Sequence, residues 1–277
     1  MKTLTTLVTT AAVLMTTTAS GFAACTNDTW TKINERGKIV VGVKADTKPW
    51  GFLDSSGALV GMEADMAADV AATLGVELEL VGVQSSNRMQ FLEQGKIDLM
   101  IATMTDKPDR RKVVFIADPN YYSSGTNVLA WKKVGLKSWD DLRDKPVCGI
   151  QGAFYNKIVE QRYGAQVIAF SGNAEAKQAL RDKKCVAWVY DDSSIAADLA
   201  SGEYNDYEMP LQTEDDNPWG LAVPLGEENC VFGRFMAGMQ YNWLQSGALL
   251  ELEEKWGIQK SAYLEAQQDR FKDWLAE

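Results

Sequence analysis

The chain of 277 residues contains no histidine. That absence removes Ser-His and Cys-His nucleophilic machinery, and every His-ligated zinc site, in one step. Cysteine is scarce: Cys25, Cys148, Cys185 and Cys230 share no C-x-x-C spacing, which argues against a thiolate metal cluster. No basic residue stands between Lys184 and Arg234, while acids recur from Asp191 to Glu228, a pattern read first as a solvated acidic face. With a formal net charge of −10, nucleic acid and anionic membrane surfaces are poor partners. Short repeats, low-complexity tracts and Pro/Gly linkers are also missing. Beyond the N-terminus no apolar run approaches the length of a membrane span, so a soluble mature protein is expected.

The N-terminus itself is distinctive. "MKTLTTLVTTAAVLMTTTASGFAACTND" offers Lys2, a Thr-rich apolar stretch and small residues at Gly21 and Ala23. It reads as a secretory signal peptide over residues 1–23, cut after Ala23. Losing Lys2 with it moves the formal charge from −10 to −11. In an exported chain an even cysteine count points to two disulfides. "FAAC" also loosely fits a lipobox, which would lipidate Cys25. Phe22 fits its first position poorly and an odd thiol would remain, so disulfides are preferred.

The length and the 46% hydrophobic content allow two compact domains. "KIVVGV" reads as a strand, and "MEADMAADVAATLG" as a helix with Met62, Met66, Val70 and Leu74 at four-residue spacing and Gly75 at its C-cap. "VELELVGV" is a strand, residues 87–94 a short helix, and "IDLMIAT" a nearly continuous apolar strand. This alternation predicts a parallel sheet covered on both faces. After "NVLAWKKVG" the pattern restarts through "KPVCGIQ", "AQVIAF" and "CVAWVYDD", with helices from about Tyr155, over 174–182 and over 194–200. "WGLAVPLG" leads into a helical C-terminus, ending in an amphipathic stretch with Phe271 and Trp274. Two α/β units without a floppy tether imply a hinge and a cleft.

Ligands of open α/β sheets sit outside the carboxyl ends of strands, so those ends name the candidates. The first unit supplies Lys44, Ala45, Asp46, Trp50 and Phe52; Ser85, Ser86, Asn87 and Arg88; then Ala102, Thr103, Thr105 and, past Pro108, Arg110. The second supplies Gln151, Gly152, Ala153, Phe154, Tyr155 and Asn156, then Asp191 and Asp192. Cations and hydroxyls near a helix start suit a carboxylate, and carboxylates suit an ammonium group. One small zwitterion satisfies both. Each residue also has a plainer role: Arg110 and Lys44 on the surface, Asp191–Asp192 as a helix cap, Trp50 and Phe52 as packing. "GIQGAF" lacks the glycine pattern and lysine of a phosphate loop.

From about residue 30 to 258 the chain resembles the periplasmic polar amino-acid-binding proteins of ABC importers, solute-binding protein family 3. The resemblance is carried by "GKIVVGVKADTKPWGFLDSSGALVGMEADMAADVAATLG", "NRMQFLEQGKIDLMIATMTDKPDRR", "VCGIQGAFYN", "CVAWVYDD" and "SGALLELEEKWG". It implies the two-lobed type II periplasmic-binding-protein fold, an α/β architecture of two parallel-sheet lobes joined by two crossing strands. Lobe 1 would take residues 24–130 and 220–277, and lobe 2 residues 131–219. It further implies a monomer that captures an amino acid in the periplasm and hands it to an ABC transporter permease, with no cofactor and no metal.

By the same resemblance Arg110 grips the ligand carboxylate, with Ala102, Thr103 and Thr105 beside it. Asp191 holds the ammonium, and Gly152, Phe154 and Tyr155 open the second lobe's first helix. Relatives binding basic amino acids carry Asp at the position of Lys44, whereas those binding aspartate or glutamate carry a cation there and another matching Arg88. With Ser85 and Trp50 nearby, an acidic or polar amino acid is therefore expected, cysteine or cystine being the alternative. The implied topology pairs Cys148 with Cys185 in lobe 2 and Cys25 with Cys230 in lobe 1. Relatives that dehydrate cyclic acids supply a rival reading, in which Asp46 or Asp192 would donate a proton. The chain departs from the family pattern at Lys107, where Thr is usual, and over Ile116–Asn120, where a Phe-Ser-x-Pro-Tyr run is usual at the entry to the first crossing strand.

Overall fold

A computed structural model describes Cys25 and residues 28–272. The expected signal peptide, residues 1–23, and Trp274 lie outside the described residues. In chain order the elements are α1 (Thr29–Arg36), β1 (Lys38–Lys44), β2 (Asp46–Thr47), β3 (Gly51–Leu53), β4 (Leu59–Val60), α2 (Met62–Leu74), β5 (Glu77–Val83), α3 (Arg88–Glu93), β6 (Leu99–Ile101), α4 (Pro108–Arg111) and β7 (Val114–Ile116). There follow β8 (Tyr122–Trp131), β9 (Pro146–Ile150), α5 (Tyr155–Tyr163), β10 (Gln166–Phe170), α6 (Asn173–Arg181), β11 (Ala187–Asp191), α7 (Asp192–Ala200), β12 (Tyr207–Glu208), β13 (Glu214–Trp219) and β14 (Ala222–Pro224). Three helices close the chain: α8 (Val231–Ser246), α9 (Ala248–Trp256) and α10 (Ala262–Lys272).

Two sheets organise two lobes. The first has the order β5-β1-β6-β14-β7 and the second β10-β9-β11-β8-β12, with β13 paired to β8. The pairs β1–β5, β1–β6, β9–β10 and β9–β11 are parallel, as the alternating pattern predicts. Neither sheet is wholly parallel, however. β14 runs antiparallel to β6 and β7, and β8 antiparallel to β11, because the chain reverses direction where it passes between lobes. β8 leaves lobe 1 at Tyr122 and returns beside itself as β13, with Tyr122 paired to Trp219 and Ser124 to Asn217.

Each lobe has its own core. Ile39, Val41 and Val43 from β1 meet Met62, Met66 and Val70 of α2 and Phe232, Met236 and Trp243 of α8. Burying each such side chain stabilises by roughly 1.5–3 kcal/mol. The opposite face of that sheet is covered by a second cluster around Val83, Leu92, Ile97 and Met104, so the continuous apolar runs are explained. Lobe 2 packs Val128, Val147, Ile150, Val159 and Trp188. The helical C-terminus is broken at Gly247, whose φ of 82° ends α8. Phe271 of α10 packs edge-on against Tyr241 of α8, a lobe 1 contact. Both expected disulfides form, Cys25–Cys230 and Cys148–Cys185, with Cα separations of 4.9 and 5.5 Å. Among the described residues no helix is long and apolar enough to cross a membrane.

The departure at the entry to β8 has its own packing. Tyr121 and Tyr122 follow the altered run, and their hydroxyls donate to the buried carboxylates Glu63 (2.9 Å) and Glu253 (2.8 Å).

Candidate functional site

The two lobes meet along the carboxyl ends of their parallel strands. On the lobe 1 side, Lys44 ends β1 with no solvent exposure. Its Nζ lies 3.2 Å from Asp46 Oδ1 and donates to Ser85 Oγ at 3.3 Å. Arg88, the first residue of α3, is also buried. Its Nη1 donates to the carbonyls of Ala102 and Thr103, the latter at 3.0 Å. β6 stops at Ile101, shorter than its apolar run predicts, because the chain then bends sharply. Thr103 adopts a left-handed φ of 43°, uncommon for a β-branched residue.

That bend is anchored by a residue the sequence reading does not single out. Glu63, in the first turn of α2, is fully buried and accepts from the Thr103 backbone N–H at 2.6 Å and from Tyr121. Burial pushes its carboxyl up to about 7, opposed by the Thr103 and Tyr121 hydrogen bonds and by Lys44. An acid in a helix's first turn reads as a complement to the helix dipole, and only its neighbours in space reveal another use.

Arg110 answers the plainer surface reading in the negative, since it is 8% exposed. Pro108 starts α4 at the position where a missing N–H costs nothing, and two residues later Arg110 points into the cleft. Its Nη1 donates to Thr105 O at 2.9 Å, and its Nη2 reaches Gly152 O of lobe 2 at 3.3 Å. Burial, then the Arg88 charge, lower its pKa to about 10, while Tyr155 and Asp191 of the opposite lobe act to raise it. It remains a cation throughout the physiological range.

The lobe 2 wall begins at Gly152. Its φ of 78° favours glycine, and a Cβ there would stand 2.7 Å from Ser85 O. Phe154 lies beneath two lobe 1 cations, 4.5 Å from Lys107 Nζ and 5.9 Å from the Arg110 guanidinium carbon. Asp191 ends β11, is 1% exposed, and makes no capping bond to α7 although it occupies the N-cap position. Its pKa is raised to about 7 by burial, against the stabilising Tyr155 hydroxyl; Asp192 raises it further, and Arg88 and Lys44 lower it. One of its oxygens, Oδ1, has no hydrogen-bond partner among the described residues.

The structure thus gathers Lys44, Ser85, Arg88, Ala102, Thr103, Thr105 and Arg110 on one wall and Gly152, Phe154, Tyr155 and Asp191 on the other. Trp50 is placed differently. It is fully buried in the lobe 1 core, edge-on to Tyr122 (4.4 Å) and Trp219 (4.9 Å), which is the packing role. The acids of the rival enzymatic reading are both engaged by protein partners. Asp46 pairs with Lys44, and Asp192 Oδ1 accepts from Ser124 Oγ (2.7 Å) and Gly125 N (2.9 Å) in the hinge. A cavity of about 780 Å³ on the hinge flank, lined by Ser124, Asp192, Asp216 and Ser261, includes none of the wall residues. Among the described residues no cluster of His, Cys, Asp and Glu could hold a metal ion.

The family model for bacterial extracellular solute-binding proteins, family 3, matches residues 39–259, which span both walls. The chain belongs to this family. It is 33% identical to the ABC transporter glutamine-binding protein GlnH of Bacillus subtilis over 72% of this chain and 74% of that one. It is 28% identical to the L-cystine-binding protein TcyJ of Escherichia coli, covering 81% and 84% respectively. Among solved structures it is similar to the ancestral amino acid-binding protein AncCDT-1, a precursor of cyclohexadienyl dehydratase. That match has a TM-score of 0.75 and 27% identity, and covers 83% of this chain and 99% of that one. As a family 3 solute-binding protein for amino acids, the chain has the two-lobed fold its sequence predicts.

Proposed function

We propose that this solute-binding protein captures an amino acid with an acidic or polar side chain between its lobes and delivers it to an ABC transporter permease. The observation that carries the reading is the opposition of Arg110 and Asp191: two buried, opposite charges on different lobes, the Asp191 carboxylate acting to raise the Arg110 pKa. Arg110, with the turn at Ala102–Thr105, takes the carboxylate; Asp191, with its unpartnered Oδ1, takes the ammonium. Lys44, Ser85 and Arg88 face the side chain, where a cationic guest would be repelled. Because the guest touches both walls, binding favours the closed state in proportion to the contacts made only there.

A thermal-shift screen of the amino acids, cystine included, tests the ligand class. Stabilisation by acidic or amide side chains is expected, and stabilisation by arginine or lysine instead would defeat the Lys44 argument. Arg110→Ala is expected to abolish measurable binding. Asp191→Asn should weaken it by at least about 30-fold, as for a buried charge left unpaired. Wild-type affinity for either variant in calorimetry would count against the clamp.

A further inference from the structure

Asp46 makes contacts on both sides of the cleft. Within its own lobe its Oδ1 is pinned by Lys44 Nζ at 3.2 Å. Its Oδ2 accepts the backbone N–H of Asn173, the first residue of α6 in lobe 2, at 2.8 Å. The helix needs such a partner. The first-turn amides of any helix lack intrahelical acceptors and carry partial positive charge, which a side-chain oxygen at the N-cap usually satisfies. The N-cap of α6 is Gly172, which has no side chain and makes no side-chain cap bond. A Cβ at Gly172 would stand 2.6 Å from Asp46 Oδ2, so a residue bearing its own cap is excluded by the carboxylate that takes the cap's place. Next to it, Thr47 Oγ1 accepts from Asn173 Nδ2 at 2.9 Å and lies 3.4 Å from the Tyr190 hydroxyl of β11.

We infer that Asp46 is a positioning residue that caps α6 from across the cleft, so that this lobe 2 helix is complete only when the lobes are closed. Opening the cleft breaks the Asn173 bond and returns that amide to water. The closed state therefore has a stabilising contribution that needs no guest, and Lys44 keeps the carboxylate aimed at α6. The cap does not depend on which guest enters; its consequence for capture rests on the amino-acid reading above.

The test is residue-resolved amide hydrogen exchange on the mature protein and on Asp46→Ala, Gly172→Ala and the double variant. Each is measured alone and with an equimolar mixture of the twenty common amino acids plus cystine. In the protein alone, Asp46→Ala is expected to speed exchange at Asn173 about fivefold, the usual effect of a lost cap. Amides of α5 in the same lobe should be unchanged. Gly172→Ala, which displaces the carboxylate, should act similarly, and the double variant should exchange no faster than Asp46→Ala. Equal exchange at Asn173 with and without Asp46 would overturn the inference, as would a full additional effect of Gly172→Ala on top of Asp46→Ala. If Asp46→Ala loosens α5 as well, Gly172→Ala decides by the same criterion. If the mixture protects no region of any protein, the amino-acid reading fails, while the comparison without guest still judges the cap.

Discussion

At the residue scale, a chain without histidine nevertheless has groups that titrate near neutrality. Asp191 and Glu63 are both raised to about 7 by burial. An ammonium guest beside Asp191 requires its carboxylate, so binding lowers that pKa and expels a proton wherever the free protein holds one. Affinity should therefore rise with pH up to about 7 and level off above it. Calorimetry at pH 6 in two buffers of different ionisation enthalpy should register proton release on binding, and Asp191→Asn should remove it. For Glu63 the linkage concerns folding. Its folded-state pKa exceeds the ordinary 4.5, so the folded state binds the extra proton between 4.5 and about 7. Stability then falls as pH rises through that window, by up to on the order of 3 kcal/mol from this group. Glu63→Gln keeps an acceptor for Thr103, and chemical denaturation as a function of pH should show the slope flattened.

At the scale of elements, the turn opening lobe 2 is as constrained as the strands. Gly152→Ala puts a methyl against Ser85 O in a left-handed conformation. Affinity should drop about tenfold or more, while the stability of the ligand-free protein falls by only the ~1 kcal/mol of an unfavourable backbone; titration calorimetry and chemical denaturation on one sample separate the two. Much of this was legible beforehand. The apolar runs of β1 and β11, the four-residue spacing in α2 and Pro108 before Arg110 are local patterns, and local patterns place strand ends. What lay hidden depends on non-local neighbours. Glu63 looks like one acid among many until Thr103 and Tyr121 arrive from 40 and 58 residues away. Asp46 follows a strand as expected, but its partner Asn173 is 127 residues distant. Trp50 is open to both readings in the sequence, because an aromatic after a strand can serve the core as well as a ligand, and only its distant neighbours Tyr122 and Trp219 show that it packs in the core. The antiparallel β14 was equally out of reach, since strand direction depends on where the chain crosses between lobes.

At the scale of the molecule, cohesion within lobes is separated from motion between them. Cys148–Cys185 joins β9 to the start of β11 inside lobe 2, and Cys25–Cys230 ties the N-terminal segment to the start of α8 in lobe 1. Neither bridge crosses the cleft. Removing the lobe 2 bridge with Cys148→Ser and Cys185→Ser should lower stability by about 2–4 kcal/mol and leave the dissociation constant unchanged, read by denaturation and calorimetry on the same protein. A large change in affinity would mean that the bridge also shapes the wall.

The side-by-side crossing of β8 and β13 has a further consequence. Two neighbouring tethers act like the two pins of a door: swinging about one axis is easy, while screwing or sliding one half against the other strains the ladder between them. The molecule's large-scale motion then reduces to a single angle. One well-chosen distance between the halves specifies the arrangement of all the rest.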